Sequence, residues 1–271
     1  MGLDLLPEDI RNKYEIHEWK HALAVLKGDF PQEFDEIIGV LRQFQLRKSH
    51  VGIPGGNITP ISQFFNRSFA AVGWREKSFD TKIVVDAHEL VSPTHLVDCF
   101  KNRVALEIEW SNKDPFFDRD LNNFRLLFEL RAVSVGVIIT KSNRLIQTLR
   151  ALGIFSKYGM TTTWMSKLLP RIEGGGGGGC PVVVFGITPD NYVDDITDAD
   201  LRDVNEVVKA IKRLPKAKRA APRRVVTQLL ADGAPAAQII RDAQAAIEIA
   251  RQAPAPPVAA EDAADEEDDE G

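Results

Sequence analysis

The sequence lacks the features of membrane and secreted proteins. No apolar run reaches the roughly 18 residues that a membrane-spanning helix needs, and the first residues do not show the basic-then-apolar pattern of a secretory signal. Only two cysteines occur, Cys99 and Cys180, too few for a disulfide framework. From these absences we expect a cytoplasmic protein with reduced thiols.

A phosphate-binding P-loop is also missing. The six consecutive glycines at residues 174–179 are not followed by the Gly-Lys-Ser/Thr that such a loop requires. A glycine run of this length is either a flexible connector or a place where the backbone passes close to something large. The pattern leaves both interpretations open.

The chain has fewer basic than acidic residues, but the acidic excess is confined to its last residues. The net charge is -5, and residues 261–271 carry eight acidic groups and no basic one, so the remaining chain stands at +3. A mildly basic body is compatible with nucleic acid without being evidence for it. The bases at 216–224 predict a phosphate-binding patch or a solvated linker, and the acidic stretch would screen such a patch.

Two short strand-like runs surround the most informative residues. Residues 95–100 and 103–110 are separated by two residues, a link that predicts a β-hairpin. Alternation in the second run places Glu107 and Glu109 on one face. Pairing in the hairpin puts Asp98 on that face as well. Three carboxyl groups are therefore expected to converge between hydrophobic residues.

The predicted turn is Lys101-Asn102, which sets Asp98 opposite Ala105. Like charges this close keep a carboxyl group protonated unless a cation neutralises them. Mg²⁺ is typically held by one or two carboxylates together with waters and substrate phosphates. An edge hairpin whose charged face points at water shows the same alternation, so the pattern alone leaves that alternative open.

This stretch resembles the restriction endonucleases of the BglII/BamHI type in the PD-(D/E)XK nuclease superfamily. Their motif is an Asp, an acidic residue nine positions later, and a Glu, Gln or Lys two positions further on. Asp98, Glu107 and Glu109 match that spacing, and Trp110-Ser111-Asn112 continues the likeness. The resemblance covers about residues 55–188. Glu109 departs from the Lys that is usual in the superfamily.

The resemblance implies a type II restriction endonuclease, which cuts both strands of DNA at a short palindromic site, often GATC-centred in related enzymes. It implies Mg²⁺ held by Asp98, Glu107 and the main-chain carbonyl of Ile108, with Glu109 orienting the attacking water or holding a second metal. The implied partners are double-stranded DNA, a second copy in a homodimer, and a DNA methyltransferase that acts on the same site. The alternatives are a DNA-repair nuclease of the same fold and a catalytically inactive DNA-binding module.

Other residues near the motif are candidates for proton transfer or DNA contact. His88 and Lys113 are alternatives to Glu109 in handling the proton of the attacking water. A helix predicted at residues 115–131 carries more large apolar groups than one face needs, so we expect it to form the dimer contact. The glycine run is a further candidate loop at the DNA. The candidate DNA contacts are Lys48, Asn57, Lys113, Arg119, Thr162 and Lys167.

The predicted fold class is α/β, with the restriction-endonuclease-like core of the superfamily. A mixed central sheet is expected from residues 81–90, 95–100, 103–110, 133–141 and 180–188, with helices on its faces. Residues 1–50 are expected to be helical, including a helix at 15–26. The predicted domains are an endonuclease domain at 1–214, a basic linker with a short helical extension at 215–252, and a disordered acidic tail at 253–271.

Overall fold

The protein is organised around a six-stranded mixed sheet, described here in a computed structural model covering residues 2–53, 59–86, 88–93 and 95–253. In spatial order its strands are β1 (Tyr14–Trp19), β9 (Val182–Ile187), β8 (Val135–Lys141), β7 (Val104–Ile108), β6 (Val97–Lys101) and β3 (Arg75–Lys77). Two strand pairs lie outside this sheet, β2 (Leu46–Arg47) with β10 (Tyr192–Val193) and β4 (Asp80–Val85) with β5 (His88–Pro93). The predicted α/β class is confirmed.

The three central strands β7, β8 and β9 run parallel to one another. Every residue in them is buried. Strands covered on both faces read as continuous apolar runs, which accounts for their sequences. The outer strands β1, β6 and β3 pair antiparallel to their neighbours and complete the mixed sheet.

Helices cover both faces of the sheet. They are α1 (Glu8–Lys13), α2 (Ala22–Asp29), α3 (Pro31–Gln43), α4 (Lys48–Gly52), α5 (Pro60–Ala71), α6 (Phe116–Glu129), α7 (Leu145–Ala151), α8 (Met165–Glu173), α9 (Asp198–Lys212), α10 (Ala220–Ala231) and α11 (Ala236–Gln252). Short 3-10 helices occupy Gly2–Leu5, Phe155–Tyr158, Pro189–Asn191 and Lys216–Lys218. In the described ranges, no helix has the length and hydropathy needed to cross a membrane.

Alternation along β8 separates two cores. Val137 and Ile139 pack in a core with Phe34 of α3 and other helices of the N-terminal half. Ile138 points to the opposite face, into a core with Phe124 of α6. The helices α9, α10 and α11 enclose a third core of their own. Helix α9, predicted as the end of the endonuclease domain, thus packs with the helices that follow it.

The helix predicted at residues 15–26 is wrong. Tyr14–Trp19 forms β1 and pairs antiparallel with β9. Lys20 and His21, both at φ +55°, then turn the chain into α2. The local apolar spacing fits a helix, but the free edge of β9 exposes backbone groups that a strand can satisfy and a helix cannot.

The assignment of residues 81–90 to the central sheet is also wrong. This stretch contributes to the separate β4–β5 hairpin, which turns back at Asp86 with φ +53° and pairs Val84 with Glu89. The edge beside β6 is taken by the exposed strand β3. Alternation identifies a strand without identifying the strand that it pairs with. The sequence pattern therefore could not tell a strand of the central sheet from a strand of a separate hairpin.

The β6–β7 hairpin turns at Asn102-Arg103 rather than at Lys101-Asn102. The φ angles of +42° and +68° at these two residues are those of a type I′ turn. Cys99 therefore pairs with Leu106, and the register differs by two residues from the predicted one. Because side chains alternate with a period of two, this shift leaves each side chain on its predicted face.

The glycine run at residues 174–179 is a packed turn between α8 and β9. A Cβ on Gly178 would lie 2.4 Å from the side chain of Arg125, and one on Gly179 would lie 3.0 Å from the ring of Phe128. Both neighbours belong to α6, so the run is glycine because its backbone approaches that helix closely. The packing supports a connector rather than a loop free to close on DNA.

The close approach of α6 to the sheet predicts an effect at Gly136. A Cβ there would lie 2.5 Å from the Phe124 ring, so Gly136→Ala should lower the free energy of unfolding by about 1–3 kcal/mol. Gly39→Ala is the matched control, since a Cβ at Gly39 inside α3 meets nothing within 4 Å and Ala favours helix by about 1 kcal/mol. Urea unfolding measures both, and an unchanged free energy for Gly136→Ala contradicts the packing.

Candidate active site

Asp98 and Glu107 meet across the β6–β7 hairpin. Extending the observed register by one position places them opposite each other. The Asp98 N–H donates to Glu107 Oε2 at 3.2 Å, and the Ile108 N–H donates to Asp98 Oδ2 at 2.9 Å. The two carboxyl groups are therefore held by backbone donors of both strands.

Glu109 lies just beyond β7, where the sheet still holds its backbone. Its N–H donates to the Ile139 carbonyl at 2.8 Å. Asn112 Nδ2 lies 3.1 Å from each oxygen of the Glu109 carboxyl group and donates to it. Glu107 and Glu109 are each only 1% exposed. The structure thus brings the three acids that the motif singled out to one end of the β7 strand.

Asp120 is a fourth carboxyl group at this place, which the sequence interpretation missed. It lies on α6, is 1% exposed, and accepts hydrogen bonds from Arg119 at 2.8 and 3.0 Å. Arg119 also approaches Glu109, with 3.7 Å between Nη2 and Oε1, and so joins the two acids. The available signal was an acid within the apolar stripe of α6, between Phe117 and Phe124.

Burial raises the pKa of all four carboxyl groups. For Asp98 and Glu107 the pKa is raised chiefly by burial, and the charge of Asp120 adds to the shift. Burial, with the charge of Asp120, raises the pKa of Glu109 to about 9. Burial also raises the pKa of Asp120, against the effect of Arg119. Acids grouped this tightly keep their protons to a higher pH than ordinary carboxyl groups do.

Lys141, the last residue of β8, is a buried cation behind these acids. Its ammonium group donates to the carbonyl of Trp110, the residue after Glu109. It lies 5.0 Å from the ring centroid of Trp164 and 5.2 Å from that of Trp110. Burial lowers the pKa of Lys141 to about 7, and the charge of Glu109 opposes this shift. In the sequence, a lysine at the end of an otherwise apolar strand was the feature that could have indicated a buried basic residue here.

Four predicted DNA contacts lie near the starts of α6 and α8. Lys113 and Thr162 form an isolated antiparallel bridge. Lys167 lies 3.7 Å from Asp114, the residue after Lys113. Arg119 belongs to the first turns of α6, and Lys113 directly follows the asparagine that bonds to Glu109. These residues form one connected group beside the acids.

Lys48 and His88, two further predicted residues, lie on other elements, α4 and β5. Lys48 is buried, and its ammonium group pairs with Asp198 at 2.7 Å and Asp194 at 3.2 Å. Lys48 is thus engaged with carboxylates of the C-terminal part of the chain, and its role as a DNA contact stays a prediction. His88 is exposed on the separate β4–β5 hairpin rather than at the end of a central strand. Asn57 lies outside the described residues.

The donor set suits a hard divalent cation, although each carboxyl group accepts hydrogen bonds from the protein itself. Across the part of the chain that the structure covers, no three His, Cys, Asp or Glu side chains stand in position to coordinate a metal. All the donors here are oxygens, however, and Asp120 Oδ2 is buried without a hydrogen-bond partner. Carboxylates of this kind are the ligands that hard cations prefer, and cation binding releases the protons they retain.

Comparison with known proteins gives this geometry its context. The chain matches the family described as restriction endonuclease BglII/BglIII over residues 14–187. The match runs from the first residue of β1 to the last residue of β9, and α9, α10 and α11 lie beyond it. No curated protein matches the chain. The resemblance seen in the sequence is confirmed, and the chain belongs to the BglII/BglIII family of restriction endonucleases, a family of site-specific deoxyribonucleases.

Proposed function

We propose that this chain is a Mg²⁺-dependent type II restriction endonuclease that cuts both strands of DNA at a short palindromic site. The partly buried Asp98 and the buried Glu107, Glu109 and Asp120, all inside the matched region, form the group that carries the proposal. Burying like charges together destabilises a fold unless a cation neutralises them. Stability therefore gives no reason for this group, and a catalytic ion does. The intact set argues against an inactive DNA-binding module.

Asp98, Glu107 and the Ile108 carbonyl are the proposed ligands of the ion. In an extended strand the N–H and C=O of one residue point to the same edge. The Ile108 carbonyl is therefore directed toward the edge where its N–H meets Asp98. A bound Mg²⁺ polarises the scissile phosphate and lowers the pKa of a water molecule. Ligation would favour the ionised form of both carboxyl groups and would remove the repulsion between them.

Glu109 is the proposed residue that orients the attacking water and accepts its proton. Asn112 holds the carboxyl group from one side, which fixes its direction. Without a divalent ion the pKa of Glu109 is raised to about 9, and a cation bound beside it would favour the ionised carboxylate that accepts the proton. Arg119, next to Glu109, supplies a positive charge for the negative charge that develops on the phosphate.

DNA is proposed to lie along the group at the starts of α6 and α8, formed by Lys113, Arg119, Thr162 and Lys167. Contacts of this kind to phosphate position the duplex without reading its sequence. The palindrome itself, GATC-centred by resemblance, has to be read by side chains placed against base edges. A DNA methyltransferase acting on the same site is the proposed companion activity.

A homodimer is the proposed working form. Each group of acids can act on one scissile phosphate. A two-fold symmetric DNA site has two scissile phosphates, one in each strand, so two copies of the chain are needed. Most of the apolar residues of α6 that suggested the dimer contact are packed inside the protomer. Phe117, Phe124 and Leu127 are buried against the sheet of their own chain, and Phe116 is 36% exposed. The apolar surplus that favoured α6 is thus used inside the protomer.

Glu107→Gln tests the metal assignment. The substitution removes a ligand charge at nearly constant shape, so we expect Mg²⁺-dependent cleavage of plasmid DNA to fall by about 10³-fold or more. DNA binding rests on many phosphate contacts and should be retained. Glu206→Gln, on the exposed face of α9, is the control and should cleave like the wild type. Unchanged nicking by pure Glu107→Gln protein contradicts the assignment.

Asp120→Asn tests the residue that the sequence motif did not include. We expect cleavage to fall roughly 10–100-fold, or the Mg²⁺ requirement to rise by that factor, as for groups that support metal ligands. Asp118→Asn is the matched control on the same helix, because Asp118 is exposed and pairs with Arg171 at 2.8 Å. Cleavage is measured over a Mg²⁺ titration. Equal losses in the two variants would indicate damage to α6 rather than a role for Asp120.

The raised pKa of Glu109 predicts pH-dependent stability without divalent ions. Its pKa rises from the ordinary 4.5 to about 9 on folding, so folding favours the protonated form. The stabilisation is full below the unfolded-state pKa and is lost as pH rises toward 9. Glutamine does not ionise. Thermal unfolding in EDTA at pH values of about 6 and 9 should therefore show a larger loss for the wild type than for Glu109→Gln, and equal losses would refute the shift.

A further inference from the structure

A dense basic surface lies where α9 ends and α10 begins, outside the region that matches the family. We call it the basic turn, and it consists of Lys212, Arg213, Lys216, Lys218, Arg219, Arg223 and Arg224. Lys212, Arg213, Lys216 and Arg224 are exposed. In the described ranges, none of these four forms an ion pair with a carboxylate. The surface is therefore a concentration of positive charge, and in the described structure Glu206 lies near Arg213 without forming a close ion pair with it.

Helix stability does not explain the basic turn. Cations at the end of α9 do favour that helix, because the C-terminal end of a helix dipole is negative. The bases from Lys216 onward, however, precede α10 or lie in its first turns, where the dipole is positive. Cations at such an end destabilise a helix by roughly 0.3–1 kcal/mol each, and they repel one another. An arrangement with this cost is expected to have an anionic partner.

The chain itself returns to the basic turn at the end of α11. The Lys218 ammonium group donates to the carbonyl of Ala253 at 2.7 Å and to that of Arg251 at 3.1 Å. The last described residue is therefore held on this surface. Residues 254–260 carry no charge, and the eight acidic groups follow within residues 261–271. Seven residues span at most about 25 Å when extended, which leaves the acidic groups within reach of the basic turn.

We propose that residues 261–271 dock on the basic turn of the same chain and compete there with DNA phosphate. Tethering at Ala253 gives the acidic segment an effective concentration on the order of millimolar. Exposed ion pairs contribute only about 0.2–1 kcal/mol each and weaken with salt. The segment is therefore a displaceable cover. It suppresses weak binding to non-cognate DNA, and tightly bound DNA displaces it.

Four full-length proteins test the docking as a double-mutant cycle. One has the eight acidic residues of 261–271 changed to Asn or Gln at unchanged length. A second carries Arg213→Gln, Lys216→Gln and Arg224→Gln in the basic turn, a third combines both sets, and the wild type completes the cycle. The control background carries Arg103→Gln, Arg150→Gln and Arg202→Gln, which are exposed arginines outside the surface. The probe is a non-cognate duplex of about 30 base pairs in EDTA, at about 50 and about 300 mM NaCl.

Neutralising the segment should strengthen non-cognate binding by about tenfold at low salt in the wild type and the control background. In the basic-turn variant the same change should strengthen non-cognate binding by less than about twofold. The increase in affinity in the other backgrounds should be smaller at high salt. The same gain in all backgrounds would show that the segment repels DNA only through net charge, and would overturn the docking.

Carbodiimide crosslinking tests the contact without any DNA. It should join Lys216 or Lys218 to carboxylates of 261–271 within one chain at low salt, as read by peptide mass spectrometry. Absence of these crosslinks also overturns the docking. Because this measurement needs neither metal nor cleavage, its result is independent of the proposed nuclease mechanism.

Discussion

The burial of four carboxyl groups between the end of β7 and α6 is the constraint on which the rest of the site depends. Burial raises the pKa of Asp98, Glu107, Glu109 and Asp120, and the charge of Asp120 adds to the shift of the other three. Two cations border the group, Arg119 at its rim and the ammonium of a buried lysine behind it. The proposed metal site rests on this group of acids.

Sheet packing places the fourth acid. Helix α6 lies against β8 at a glycine, Gly136, where even a methyl group would meet the ring of Phe124. The glycine run before β9 packs on the same helix from another side, at Arg125 and Phe128. These close approaches fix the height and rotation of α6, which in turn set Asp120 beside Glu109. Residues far from the chemistry by sequence therefore determine its geometry.

The helices beyond the family match are anchored to the body through polar contacts as well as through their own core. His50 bonds to the Leu230 carbonyl at 3.1 Å, and Gln63 bonds to Gln228 at 3.0 Å. Arg67 pairs with Asp232 at 2.5 Å. The C-terminal helices thus pack against the endonuclease body. The basic turn lies on their surface.

Local patterns in the sequence were sufficient to identify the α/β class, the strands near β6 to β9, and three acids on one face of a hairpin. Strand alternation has a period of two, so even the wrong turn at Lys101-Asn102 left Asp98, Glu107 and Glu109 together. The motif spacing also pointed to the family now confirmed. These features depend on neighbours in the chain or on a fixed spacing, which a sequence records directly.

Tertiary structure alone decided which elements meet. The edge strand β1 was mistaken for a helix because only the open edge of β9 selects a strand there. Asp120 was missed because the acid that it approaches, Glu109, lies on another element, and the acidic partners of Lys48 are likewise distant in sequence. Burial, shifted pKa values and ion pairs arise from packing between segments distant in sequence. No periodicity encodes such contacts, so they are visible only in the folded chain.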